Sequence, residues 1–214
     1  MRVVSVQVGK PRQIEFKGRS ALSSIFKNGV SGRTRTDGDH LVGDEQADLE
    51  VHGGEYKSIY AYPAEHYPFW EEKLDRKLEF GSFGENLTVE GLLETEVCSG
   101  DRFRFGTVVL QATTPRLPCY KLEMRLERDD MVKQFIAAEM PGIYFSILEQ
   151  GELGSGDHIE PLEMPRPGVD IVELMRLYLG SVEEVETLQR AAELRSIPES
   201  WRCRFEKLAG KVAS

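Results

Sequence analysis

The residue best placed to do chemistry is Cys119, in the run Thr113-Thr114-Pro115-Arg116-Leu117-Pro118-Cys119-Tyr120-Lys121. Two prolines restrict the backbone ahead of the thiol, and Arg116 and Lys121 place cations on either side of it. Nearby positive charge favours the thiolate, the form that attacks electrophiles and binds soft metals. The same run also fits a plain structural cysteine, a small buried hydrophobe just after a strand. Cys98, in a strand-like run before a turn, reads as structural. Cys203, between Arg202 and Arg204 on a helix, reads as a packed or surface thiol.

Further polar clusters stand apart from the cysteines. In His52-Gly53-Gly54 the glycines allow close backbone approach to a ligand, and His52 offers a proton or a phosphate contact; taken alone, a tight turn beside a satisfied histidine is the commoner explanation of such a run. Lys57 follows, in what reads as the next strand, as a phosphate cation or a rim lysine. The acidic turn Gly43-Asp44-Glu45-Gln46-Ala47-Asp48 has adjacent carboxylates suited to a metal or to acid–base work, and also suits a solvated run. Phe83-Gly84-Glu85-Asn86-Leu87 is a turn whose polar pair faces a pocket or simply closes the turn. There is no Walker loop, no GxGxxG after a strand and no HExxH. The four histidines are far apart, and three cysteines are too few for an ordinary iron–sulfur cluster. Redox chemistry therefore requires an exogenous cofactor and an external electron donor.

Short strands must carry these residues. Val4, Val6 and Val8 alternate with polar neighbours, Ile59–Tyr62 stops at Pro63, Phe103 and Phe105 alternate with arginines, and Thr107–Thr113 and Tyr144–Leu148 are apolar runs. Glycine turns at 43, 53–54, 81, 84, 91, 100 and 106 separate them, which points to a barrel or sandwich. Helices are expected over Ala64–Leu78 and about Asp129–Glu139. The stretch Ser31–His40 reads as an Arg-, Thr- and Asp-rich loop. Pro161, Pro165 and Pro167-Gly168 then form a stiff linker. Beyond it the period becomes helical: Val169–Leu179, ended by Gly180; a helix opened by a Ser181–Glu184 capping box; and one opened by a Ser196–Glu199 box, with Trp201, Phe205 and Leu208 on one face. The organisation expected is a mainly β domain over residues 1–162 and a three-helix appendage over 168–211, too small to be stable alone, serving as a stabilising element or a partner-docking module.

At 214 residues with 40% hydrophobic content the chain can bury a core without disulfides. The net charge of −9 argues against a nucleic-acid backbone or an anionic membrane as main partner, though a local basic pocket is compatible with it. The first residues, Met1 to Val8, are too short and polar for a secretory h-region, no run suits a membrane span, and sparse, odd-numbered cysteines fit a reducing cytoplasm.

In their order and spacing these pieces resemble the MOSC (molybdenum cofactor sulfurase C-terminal) domain family, and its YiiM-like branch most closely. The matching residues are Gly43 to Asp48, His52-Gly53-Gly54 with Lys57, Tyr62-Pro63, Phe83-Gly84-Glu85-Asn86-Leu87-Thr88, Gly100-Asp101, Pro115-Arg116, Pro118-Cys119 with Lys121, Gly142 with Tyr144, and Gly156-Asp157. The sequence departs from the pattern at Thr114, where a Gln often stands, and at Ser146, where a basic residue is common. The resemblance implies a β-barrel-like domain followed by a small helical one. It implies a pocket for the molybdenum cofactor, Mo-molybdopterin, with Cys119 as metal ligand and reactive group. His52 is then the proton donor. Arg116, Lys57 and Lys121 are candidates for the pterin phosphate, and Asn86 with the Gly53 and Gly54 amides for pterin ring edges. The implied activity is reduction of N-hydroxylated bases such as 6-hydroxylaminopurine, with electrons from a separate flavoprotein reductase. The alternatives are a cofactor carrier and a Cys119 persulfide that transfers sulfur. A monomer and a dimer are both compatible with the sequence.

Overall fold

In the computed structural model, which describes residues 1–47, 54–182 and 184–212, the chain is mainly β with helices inserted late and a helical end. Its elements are β1 (Arg2–Val8), β2 (Arg12–Phe16), β3 (Arg19–Ser23), β4 (Asn28–Gly29), β5 (Arg33–Asp37), β6 (His40–Leu41), β7 (Ile59–Pro63), α1 (Tyr67–Leu74), β8 (Leu87–Glu90), β9 (Arg102–Phe105), β10 (Val108–Pro115), α2 (Tyr120–Leu126), α3 (Met131–Ala138), β11 (Ile143–Glu149), β12 (Glu152–Gly154), β13 (Ile159–Glu163), α4 (Ile171–Leu179), α5 (Val185–Glu193) and α6 (Glu199–Val212).

One sheet organises the molecule. Its eight strands run in the order β13-β9-β10-β11-β7-β8-β1-β4, antiparallel except for the β7–β8 pair. The sheet curls until β1 meets the segment that leads into β13. Arg2 bridges His158, the Val3 amide donates to the Asp157 carbonyl at 2.9 Å, and the Gly156 amide donates to the Val3 carbonyl at 2.8 Å. These bonds give the barrel-like closure without a continuous strand ladder. The curled sheet packs Val3, Leu87, Phe103, Phe105, Leu110 and Phe145 into its core.

The Phe103/Phe105 alternation holds, with both rings buried and the flanking arginines half-exposed. The valine pattern of β1 does not. Val3 and Val6 are the buried pair, because the register against β8 shifts between Val3 and Ser5. A bulge inserts one residue and flips the side-chain phase. The stretch Ser31–His40 is not a loop: Arg33–Asp37 forms β5, with Thr34 and Thr36 inward and Arg33, Arg35 and Asp37 outward. Threonine on the inner face hid the two-residue period.

A second core lies outside the sheet, under α1 to α3, and is rich in aromatic rings. Tyr62 stacks on Phe83 with centroids 4.5 Å apart, and the Trp70 indole donates to the Tyr62 hydroxyl at 2.7 Å. The helix expected to reach Leu78 stops at Leu74, where Asp75 turns left-handed. The helix α2 had no sequence counterpart, because its buried residues Leu122, Met124 and Leu126 fall at a strand-like spacing of two.

The three C-terminal helices pack around Leu174, Leu188, Trp201 and Phe205. Asp170 caps α4, accepting from the Glu173 amide at 2.8 Å, and Gly180 ends it in the left-handed conformation. Neither expected capping box forms. The Ser181 hydroxyl closes the end of α4 on the Arg176 carbonyl at 3.1 Å, and α5 starts later, at Val185. Ser196 turns its hydroxyl to Ser99 at 2.7 Å, while the Pro198 carbonyl accepts from the Trp201 and Arg202 amides at 3.0 and 3.3 Å. Among the described residues no helix is long and apolar enough to cross a membrane.

Candidate functional site

Strand β10 delivers the reactive run. After Pro115 the chain leaves the sheet, and Arg116 to Pro118 cross to α2, with Cys119 in extended conformation just ahead of the helix. The thiol is outside any disulfide and half-buried. It lines an open cleft whose walls also carry Ser24, Lys27, Asp44, Lys57, Asn86, Arg116, Lys121 and Tyr144. Four cationic residues (Lys27, Lys57, Arg116 and Lys121) and two acidic ones (Asp44 and Glu45) contribute to its lining. A chain of net charge −9 therefore concentrates positive charge at this opening.

Arg116 is 7% exposed. Its guanidinium lies 5.3 Å from the Tyr60 ring centroid and 5.6 Å from that of Phe135, an arrangement stabilised by the ring quadrupoles. Burial opposes its charge, but Tyr60, Tyr144 and Cys119 outweigh that, and its pKa is raised. Its Nη1 is buried without a hydrogen-bond partner. A buried donor left unmade is costly, so its place in a cleft wall marks it as available to an anionic ligand. The Ser24 hydroxyl, also in the cleft lining, is buried and unpartnered too.

Lys27 was not anticipated, since nothing in Ser23-Ser24-Ile25-Phe26-Lys27 forms a motif. Its side chain is 8% exposed and ion-paired with Asp44. Burial lowers its pKa and Asp44 opposes the shift. Asp44 also accepts from the Gly9 amide at 2.7 Å and from the Asn86 side chain at 2.9 Å. Glu45 points elsewhere, to Lys10 at 3.4 Å, so these adjacent carboxylates do not form an acid–base pair. Asn86 spends its amide on the protein: Oδ1 accepts from the Tyr60 amide at 3.2 Å and Nδ2 serves Asp44. Glu85 is wholly structural, accepting from the Gly81 amide at 2.7 Å and the Phe83 amide at 3.1 Å.

Lys57 lies in a one-turn 3-10 helix, Glu55–Lys57, not in a strand. Gln46 braces it, donating to the Lys57 carbonyl at 3.1 Å and accepting from the Gly54 amide at 3.3 Å. Gly54 has φ 88°, and a Cβ there would meet nothing within 4 Å, so one side of it is open to approach. The structure thus brings Cys119, Lys57, Asn86, Arg116 and Lys121 to one cleft, with Gly54 beside it through Gln46. His52, Gly53 and Asp48 lie outside the described residues. Cys98 is half-buried away from these walls, its pKa raised by burial, and Cys203 is exposed. Among the described residues no three His, Cys, Asp or Glu side chains are grouped to hold a metal ion.

Residues 48–160 match the model of the MOSC domain, more than half of the chain. The chain belongs to the MOSC domain family. Its similarity to individual members extends through the helical end. The protein YflK of Bacillus subtilis (strain 168) is 38% identical over 205 residues, covering 96% of this chain and 93% of that one. The crystal structure of YiiM from Geobacillus stearothermophilus superposes with a TM-score of 0.81 at 30% identity, covering 97% of this chain and 98% of that one. A protein of Gibberella moniliformis (strain M3125 / FGSC 7600) named Reductase is 30% identical over 83% of this chain, which spans 32% of its length. The MOSC match takes in most of the cleft: Lys57, Asn86, Arg116, Cys119, Lys121 and Tyr144 fall within it, whereas Lys27 and Asp44 precede it.

Proposed function

We propose that the cleft holds the molybdenum–pterin cofactor with the Cys119 thiolate as the chain's ligand to the metal, and that the protein reduces N-hydroxylated compounds to amines with electrons from a separate flavoprotein. Membership of the MOSC family and the relative named Reductase support the coarser reading, an oxidoreductase-like role. The observation that carries the finer one is a single cleft that joins a half-buried thiol to a buried arginine with an unsatisfied donor. A pterin dithiolene with a phosphate tail asks for that combination: a soft sulfur ligand, cations for the phosphate and room to enter.

When bound, the cofactor supplies a metal centre that exchanges two electrons beside soft sulfur ligands. The chain's residues supply the rest. Arg116, Lys57 and Lys121 hold the phosphate, and the open face of Gly54 admits the pterin edge. Asn86 acts one step back, orienting Asp44 and through it Lys27. His52 delivers a proton and Gly53 contributes a backbone amide. The reaction breaks the N–O bond of R–NHOH, takes up two electrons and two protons, and releases R–NH2 and water.

Steady-state reduction of 6-hydroxylaminopurine, driven by a flavoprotein reductase, tests this. The wild-type chain from cells that make the cofactor should turn over, and Cys119→Ala should lose about 100-fold or more, as expected when a metal ligand rather than an outer contact is removed. Equal turnover by the variant refutes the assignment. Pterin binding without turnover identifies a cofactor carrier, and a persulfide on Cys119 in metal-free protein identifies sulfur transfer.

A further inference from the structure

The hydroxyl of Thr113, fully buried in β10, ties two walls of the cleft together. Its Oγ1 donates to the Tyr56 carbonyl at 2.6 Å and to the Tyr144 carbonyl at 3.0 Å, its one proton shared between them. Tyr56 precedes Lys57 in the 3-10 helix, and Tyr144 lines the cleft beside Arg116. The Thr113 carbonyl in turn accepts from the Ser99 hydroxyl at 2.7 Å, and Ser99 meets the Ser196 hydroxyl at 2.7 Å. A serine has one proton to give. Ser99 gives its own to Thr113, so Ser196 must be the donor of the last bond. Ser196 lies between α5 and α6, in the helical end.

The helical end touches the cleft by two further routes. Leu117, two residues before Cys119, lines the cleft and packs against the core of the three helices. Glu199 and Arg202, on α6, act electrostatically on Tyr56. All three routes converge on the two segments that carry Lys57 and Cys119.

We infer that the three C-terminal helices are a positioning element of the cleft, with Ser196 as the positioning residue that acts through Ser99 and Thr113. The helices hold the Lys57 and Cys119 walls at a fixed separation. This rests on the cleft being the working site, and it does not require that molybdenum be bound there.

The test uses the full chain, free of cofactor, in a Cys203→Ser background. The rate of Cys119 alkylation by iodoacetamide is followed by peptide mass across pH 6–9. Amide exchange is measured alongside at residues 55–58 and 116–119. Removing one well-made buried hydrogen bond should speed Cys119 alkylation about fivefold in Ser196→Ala and in Thr113→Val. Exchange should rise at those two segments and not in β5 and β12. Thr113→Ser, which keeps the hydroxyl, should restore the parent rate. Parent-like alkylation in folded Ser196→Ala, or equal rates for Thr113→Val and Thr113→Ser, overturns the inference. If Ser196→Ala behaves as expected in a chain that never binds molybdenum, the relay stands and the cofactor reading falls.

Discussion

Lys27 is buried with Asp44 against it, which offsets part of the cost of taking its ammonium group out of water. Burial lowers its pKa below the ordinary 10.5. The unfolded chain therefore binds more protons than the folded one between the lowered value and 10.5, and this group makes stability rise with pH across that window. Lys27→Met should flatten that slope. It should also leave Asp44 buried without its cation, costing about 3 kcal/mol at pH 7, read from urea unfolding at pH 7 and pH 10. An unchanged midpoint and slope would mean the pair is solvated. At this scale the sequence was uneven. Cys119 announced itself through its flanking prolines and cations, whereas Lys27 sits among residues with no motif and reaches Asp44 only through the fold. Asn86 was legible as a cleft residue, but its commitment to Tyr60 and Asp44 depends on the separation of β7, β8 and the acidic turn, which no local pattern encodes.

The turn before β11 shows how an element sets the site. Gly142 has φ 68°, and a Cβ there would sit 2.6 Å from the Tyr60 ring and 2.7 Å from the Ala61 carbonyl. Its amide donates to the buried Glu94 carboxylate at 2.7 Å. Gly142→Ala should cost about 3 kcal/mol through the left-handed backbone and the clash together. Because Arg116 lies over the Tyr60 ring, the variant should also weaken binding of pyrophosphate at the cleft, measured by calorimetry beside urea unfolding. Full stability would contradict the close packing seen here. Strands with apolar alternation, such as β9, were readable from composition. The phase of β1 was lost to a bulge, β5 to inward threonines, and α2 to a two-residue spacing of buried side chains.

Over the whole molecule, the break in composition near Pro161 marks a change of period more clearly than a change of body. Strand β13 runs to Glu163 and includes Pro161. Ile171, the first residue of α4, is buried in the core of the sheet, and its amide donates to the Val97 carbonyl at 3.0 Å. A peptide spanning residues 168–212 loses those contacts and is near the size below which chains seldom fold unaided. Its circular dichroism should show mostly unfolded chain, and a cooperative helical melt would show that the three helices stand alone. The barrel-like closure was expected from the family pattern; the bridge from Arg2 to His158 that completes it joins residues too far apart for any local signal.

The central claim is that Cys119 is the chain's ligand to a molybdenum centre. It is tested most directly by the molybdenum-to-protein ratio, measured by elemental analysis of wild-type and Cys119→Ala protein purified side by side from cells that make the cofactor. The account predicts close to one molybdenum per chain in the wild type and a loss of about tenfold or more in the variant. Equal molybdenum in both proteins, or none in either, would contradict it.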